Sequence, residues 1–251
     1  MCIKAHTENR FMNWAIVIAG GSGHRMGANI PKQFLHVAGK PVLFHTLEAF
    51  QRHPMLDAIL LVCIEGWEPV VRNYTRMFGI GKLRTIVPGG ATAQESIRNG
   101  VFALENVCAP DDIVVVHDGI RPIVERAVLD DVIATAIRHG NGVTAIPYKE
   151  QIFLVDKDSP GETSRYIPRD SIRCVATPQA YRFDLLDKAY HQAFERGIGT
   201  GPSSYANTMM VDLGHTLHLA AGSDRNLKLT TPADLDVFKA WIDCESSVQV
   251  P

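Results

Sequence analysis

The sequence predicts an α/β chain, doubly wound around a mostly parallel sheet, with a protruding β-hairpin arm. Three observations carry that expectation. The short apolar runs WAIVIA (14–19), AILLVCI (58–64) and DIVVVHDG (112–119) are continuous rather than alternating, as strands covered on both faces require. Segments between them repeat their apolar residues at helical spacing, so strand and helix alternate. Residues 148–172 interrupt the alternation with two β-like runs about a polar turn.

Ahead of the first strand, MCIKAHTENRFMNW has no apolar core of the signal-peptide kind and reads as an extension. A glycine loop follows the strand. PVLFHTLEAFQRH is then a helix with Val42, Leu43, Leu47 and Phe50 on one face. AILLVCI is the second buried strand, EPVVRNYTRMFG a helix, and KLRTIVPGG a short strand ending in glycines. TAQESIRNGVFALENV is helical, DIVVVHDG is the third buried strand, and RAVLDDVIATAIRHG is a helix closed by Gly140. GVTAIPY is a further strand. QIFLVD and TSRYI flank the DSPG turn and form the arm. TPQAYRF (177–183) reads as a purely structural turn into the helix FDLLDKAYHQAFERG. HTLHLAAG is a strand, and PADLDVFKAWI closes the chain as a helix with Pro232 in its first turn. All 251 residues are expected in one domain, with 148–172 as its arm.

The formal net charge of -2 gives no global basic excess, so neither nucleic acid nor an anionic membrane is an expected partner. No apolar stretch is long enough to span a bilayer. The five cysteines (Cys2, Cys63, Cys108, Cys174, Cys244) are scattered and never in C-x-x-C spacing, which argues against a disulfide framework and a zinc site. A cytoplasmic location is the simplest expectation, with Cys63 a buried small hydrophobe.

Ligands of such sheets bind beyond the carboxyl ends of the strands, where strand order switches. The loops after 14–19, 83–87 and 112–118 are therefore the ones to inspect. The first reads AGGSGHRMGANIPKQF. Gly21, Gly23 and Gly27 give G-x-G-x-x-x-G, and no acidic residue ends the next strand, so the dinucleotide fingerprint fails. Gly27 is followed by Ala28 and Asn29, so no P-loop lysine and hydroxyl are present. What remains is a turn in which the backbone N–H groups of Ala19, Gly20, Gly21 and Gly23 close on a polyphosphate without Cβ interference. Arg25 adds a forked donor, and Lys32 follows Pro31, whose fixed φ limits its directions. Two cations on one loop suit the charge that builds on a phosphorus under attack. The plain alternative is a surface turn with two solvated charges.

Asp118 ends a buried strand with Arg121 three residues on. The aspartate serves a metal ion, a substrate hydroxyl, or an ion pair with Arg121 that caps the next helix; spacing alone leaves all three open. His117 reads as a packed, hydrogen-bonded core histidine rather than an acid or base. Lys228 lies on a short β-like run, as a site cation or a solvated edge lysine. Gly90 precedes a helix whose first turns carry Ser96 and Arg98, which bind a ligand or cap the helix.

In this order, AGGSGHRMGANIPKQFLHVAGKPVLFHTL, GGATAQESIRNG, VVVHDGIRP, ATPQAYRFDLL and RNLKLTTPADL resemble the cytidylyltransferase family of 2-C-methyl-D-erythritol 4-phosphate and ribitol 5-phosphate enzymes, over residues 14–241. The resemblance implies a Rossmann-like nucleotidyltransferase. A small polyol phosphate attacks the α-phosphorus of CTP, pyrophosphate leaves, and Mg²⁺ or another divalent cation bridges the phosphates. It implies Arg25, Lys32 and Lys228 as catalytic cations, and Ala19, Gly20, Gly21, Gly23, Gly90, Ser96 and Gly119 around the nucleotide. Asp118 and Arg121 would face the polyol phosphate, Asp118 also being the one protein candidate for the metal. Arg169 would cross from a partner subunit in a homodimer. Ala91 and Ala93 stand where the family has an acidic residue and an arginine. Gln151 replaces a threonine that would touch the acceptor, which tilts the reading slightly toward a pentitol phosphate. The alternatives are a same-fold enzyme using another base or a sugar 1-phosphate, and a nucleotide-binding regulator without turnover.

Overall fold

The structure, a computed structural model, describes residues 11–21, 30–201 and 204–248. β1 (Asn13–Ala19) is followed by the small hairpin β2 (His36–Val37) and β3 (Lys40–Pro41). Next come α1 (Val42–Arg52), β4 (Ala58–Cys63), α2 (Glu68–Met77), β5 (Leu83–Pro88), α3 (Ala93–Phe102), β6 (Ile113–Asp118), α4 (Arg126–His139) and β7 (Asn141–Pro147). β8 (Ile152–Leu154) and β9 (Arg165–Ile167) pair antiparallel as the expected arm. β10 (Arg173–Arg182), α5 (Phe183–Arg196), α6 (Ala206–Asp212), β11 (Leu219–Ala221) and α7 (Pro232–Val248) complete the chain.

Seven strands form one sheet in the order β11-β7-β10-β6-β1-β4-β5. β10 alone runs against its neighbours β6 and β7; the other pairings are parallel. Alternation along β1 explains the double covering. Ala15, Val17 and Ala19 pack on one side with Leu43, Leu47 and Phe50 of α1 and Leu129 and Ile133 of α4. Trp14 and Ile16 pack on the other with Ile97 and Val101 of α3 and Leu186 and Tyr190 of α5. Burying each such large apolar side chain stabilises the fold by about 1.5–3 kcal/mol. A third cluster, Val37, Val42, Ile120, Leu229 and Phe238, fastens α7 to the carboxyl end of the sheet.

Three expectations change. TPQAYRF is not a turn: Gln179–Arg182 lie in β10, paired with β6. The register of β10 against β7 shifts between Val175 and Gln179, so Pro178 falls in an irregularity where its missing N–H breaks no ladder bond. Lys228 lies on an extended segment outside any strand. The strand expected over 215–222 shortens to Leu219–Ala221. Elsewhere α4 ends as expected at Gly140, with φ of 85°. Cys63, Cys108, Cys174 and Cys244 are free. Burial pushes the Cys63 thiol up to about 11, the behaviour of a packed side chain. Among the described residues, no helix is long and apolar enough to cross a membrane.

Candidate active site

The chain leaves β1 toward β4 and β5 on one side and returns to β6 on the other, so strand order switches between β1 and β6. The loops after β1, β5 and β6 meet there around a cavity of about 490 Å³. Ala19, Gly20, Gly21, Lys32, Gly90, Ser96, Asp118 and Lys228 line it, with Gln33 and Thr230. Gly23 and Arg25 lie outside the described residues.

Local chemistry explains the shape of this cavity. Gly20 and Gly89 touch backbone to backbone; a Cβ on either would lie 3.0 Å from the other's Cα. A Cβ on Gly90 would fall 2.3 Å from that of Glu95, so only glycine brings the loop this close to α3. Thr92 caps α3 by accepting from the Glu95 N–H at 3.1 Å, and Glu95 Oε2 accepts from the Ala91 N–H at 2.8 Å. Ser96 Oγ accepts from the Gly90 N–H at 3.0 Å and donates to the Thr92 carbonyl at 2.9 Å. From the opposite side, Gln33 Nε2 donates to the carbonyls of Ala19 (2.8 Å) and Gly21 (2.9 Å).

A second cavity, about 440 Å³, adjoins the first and shares Ile18, Ala93, Asp118 and Lys228 with it. Arg121, Thr177 and Gln179 line its walls, as does the segment 204–208. At the junction Asp118 Oδ2 receives Arg121 Nε at 3.0 Å and Lys228 Nζ at 3.1 Å, with Thr177 Oγ1 at 3.4 Å. Burial raises the Asp118 pKa, but Lys228 and then Arg121 outweigh it and hold the carboxyl below its usual value. Asn226 binds the frame together. Its carbonyl accepts from Arg121 Nη1 at 2.7 Å, and its Nδ2 donates to the Thr177 carbonyl at 2.6 Å. The Leu229 N–H donates to the Ile120 carbonyl at 2.9 Å and fixes the chain just past Lys228.

His117 also borders the second cavity, and the remaining residues lie elsewhere. His117 is fully buried against Phe50, and its Nε2 donates to the Arg121 carbonyl at 3.1 Å. Burial lowers its pKa to about 4, so it is the neutral core histidine the sequence suggested. Gly119 sits between Asp118 and Ile120, which line the first cavity, and is not itself among the residues lining either cavity. A Cβ there would lie 2.9 Å from Leu43 Cδ1 and 3.0 Å from the Ile18 carbonyl oxygen, so glycine is needed for packing of α1 on the sheet. Arg98 turns away and stacks on Phe194 at 4.5 Å. Gln151 and Arg169 line a separate hollow on the arm, and Arg169 Nη1 donates to the Lys149 carbonyl at 3.0 Å. One chain therefore does not bring them to the junction. Among the described residues, Glu105, Asp187 and His191 are grouped as metal ligands would be, and none of them lines either cavity.

Sequence reasoning passed over Gln33, Thr177 and Gln179. Gln33 follows Lys32 directly in PKQF; the other two fell in the segment read as a turn.

A switch-point cavity floored by glycine backbone, on a mostly parallel sheet with one reversed strand, is the architecture of a Rossmann-like nucleotidyltransferase. The chain belongs to the IspD, 2-C-methyl-D-erythritol 4-phosphate cytidylyltransferase, family, which matches residues 13–243, and it is a cytidylyltransferase. It is 52% identical to the ribitol-5-phosphate cytidylyltransferase of Lacticaseibacillus paracasei, over 91% of this chain and 97% of that one. It is 35% identical to the 2-C-methyl-D-erythritol 4-phosphate cytidylyltransferase of Geobacter metallireducens, over 91% and 97% of the two chains. The crystal structure of 2-C-methyl-D-erythritol 4-phosphate cytidylyltransferase from Thermus thermophilus superposes with a TM-score of 0.71 at 29% identity, covering 93% of this chain and 100% of that one.

Proposed function

We propose that this enzyme transfers the cytidylyl group of CTP to ribitol 5-phosphate, with 2-C-methyl-D-erythritol 4-phosphate as the competing acceptor. The observation that carries the reaction is the pair of cavities meeting at Asp118 and Lys228. The 52% identity to the ribitol-5-phosphate enzyme favours that acceptor. CTP occupies the first cavity, its base toward Gly90 and Ser96 and its triphosphate over Ala19, Gly20 and Gly21. The acceptor's phosphate oxygen attacks the α-phosphorus from the second cavity. The new P–O bond forms as the bond to the β-phosphate bridging oxygen breaks, and pyrophosphate carries that electron pair away. Lys32 and Lys228, with Arg25 of the glycine loop, stabilise the charge on the five-coordinate phosphorus and the leaving group. Asp118 holds Lys228 and Arg121 in register for the acceptor.

A divalent cation such as Mg²⁺ fits this donor set. Asp118 is the one carboxylate among the described residues lining the two cavities, and one carboxylate plus substrate phosphates is a usual arrangement for Mg²⁺. When bound, the cation neutralises charge on the phosphates. Gln151 and Arg169 reach the acceptor from the arm of a second copy, so the working form is a homodimer, in the cytoplasm.

The test is pyrophosphate release with each of four nucleoside triphosphates against both acceptors, with the product identified by mass. CDP-ribitol formed faster than the methylerythritol product supports the proposal. Turnover with another base, or CTP binding without turnover, overturns it.

A further inference from the structure

We propose that Gln179 forms a hydroxyl-binding subsite in the second cavity, which reads the end of the acceptor's carbon chain farthest from its phosphate. The inference rests on the acceptor reading above and adds a specificity determinant to it.

Gln179 is 5% exposed and lines this cavity. It pairs with Val116 across β10 and β6, on the sheet face that also carries Tyr181. Its amide orientation is fixed from within the protein. Oε1 accepts from the Tyr181 hydroxyl at 2.8 Å, and burial raises the pKa of that phenol, which keeps its proton. The Ala176 carbonyl, which can only accept, places Nε2 at the other end of the amide, and it lies at 3.5 Å, the outer limit of a hydrogen bond. A buried amide nitrogen has two hydrogens to place, and buried donors are nearly always paired. This one calls for an acceptor in the cavity.

The acceptor's chemistry follows from the wall. The charged lining side chains among the described residues, Asp118, Arg121 and Lys228, are bonded to one another at the junction. Away from them the lining is neutral, including Val116, Ile97, Gln179 and Asn207. A phosphate that attacks beside Lys228 leaves its carbon chain pointing into this neutral part. A hydroxyl is the group on such a chain that accepts from Nε2 without bringing charge. A site built to bond a hydroxyl discriminates against an analogue lacking it, because the protein's buried donor is then left unpaired.

The experiment compares ribitol 5-phosphate with 1-deoxyribitol 5-phosphate, which lacks only the far hydroxyl, at saturating CTP. Wild type should favour ribitol 5-phosphate by about tenfold or more in kcat/KM, the size of one buried hydrogen bond. Gln179→Met should erase that preference, lowering kcat/KM for ribitol 5-phosphate about tenfold. Its values for the deoxy analogue and for the KM of CTP should stay within about twofold. Gln179→Leu, which also lacks the amide donor, should lose the preference as well. Unchanged use of the deoxy analogue doubles as the check that each variant is folded. Equal losses on both acceptors, or a wild type that does not distinguish them, overturns the subsite while leaving the cytidylyl transfer intact. A wild type that uses neither acceptor overturns the acceptor reading itself, and the subsite with it.

Discussion

Replacing Ser96 by alanine isolates the contribution of the loop after β5. Ser96 is 3% exposed, and its hydroxyl makes two hydrogen bonds, one from the Gly90 N–H and one to the Thr92 carbonyl. At about 1 kcal/mol net for each bond, Ser96→Ala should cost about 2 kcal/mol of stability. For a chain of this size that lowers the thermal midpoint by about 4–8 °C. The same bonds hold Gly90 on the first cavity, next to the close approach of Gly20 and Gly89. The KM for CTP should therefore rise about tenfold, while kcat and the KM for the acceptor change less than about twofold. Urea unfolding and steady-state pyrophosphate release measure the two effects separately. A stability loss of the stated size with an unchanged KM for CTP would refute the placement of the nucleotide beside Gly90. Unaltered stability would show that the two bonds contribute nothing.

Three further outcomes are expected. Lys32→Ala should lower kcat by about 10²–10³, as for other lost transition-state contacts, and near-normal turnover would remove Lys32 from that role. Arg169→Ala should raise the KM for the polyol phosphate more than that for CTP, and mixing it with a variant lacking Lys228 should restore activity in half-sites if the arm acts across a dimer. His117 has a folded pKa of about 4 against an ordinary 6.5, so between those values the unfolded chain binds a proton that the folded one refuses. Stability should thus fall as pH drops through that window. His117→Gln should reduce the loss between pH 7 and pH 5 by about 2 kcal/mol in urea unfolding, and an unchanged slope would contradict a neutral buried imidazole.

Much of the architecture is legible where one physical signal dominates. β1, β4 and β6 are apolar at nearly every position because helices cover both sides, and no other local structure suits such short runs. The arm is legible because two β-like runs flank a turn-forming DSPG. β10 is not, because Thr177, Pro178 and Gln179 carry turn chemistry; its strand character comes from pairing with β6 and β7, which no local window contains. α6 has seven residues, too few for its period to stand out. In the site, Lys32 on the glycine loop, Asp118 and Arg121 at the end of a buried strand, and Lys228 on a short β-like run were visible as charges, and the structure gathers them. Sequence does not say whether a glycine such as Gly119 makes room for a ligand or for a neighbouring helix, and the close approach of Leu43 there is visible only in the folded chain. Gln33 and Asn226 support the site through bonds to distant carbonyls, and only the folded chain shows those partners.

The most direct measurement of whether chemistry occurs where the two cavities meet is single-turnover pyrophosphate release by Lys228→Met, alongside calorimetric titration with CTP. Turnover should fall about 10²–10³-fold while CTP still binds within a few-fold of wild type, since the ammonium on Asp118 Oδ2 acts mainly on the charge that develops during attack. Turnover within tenfold of wild type would contradict it.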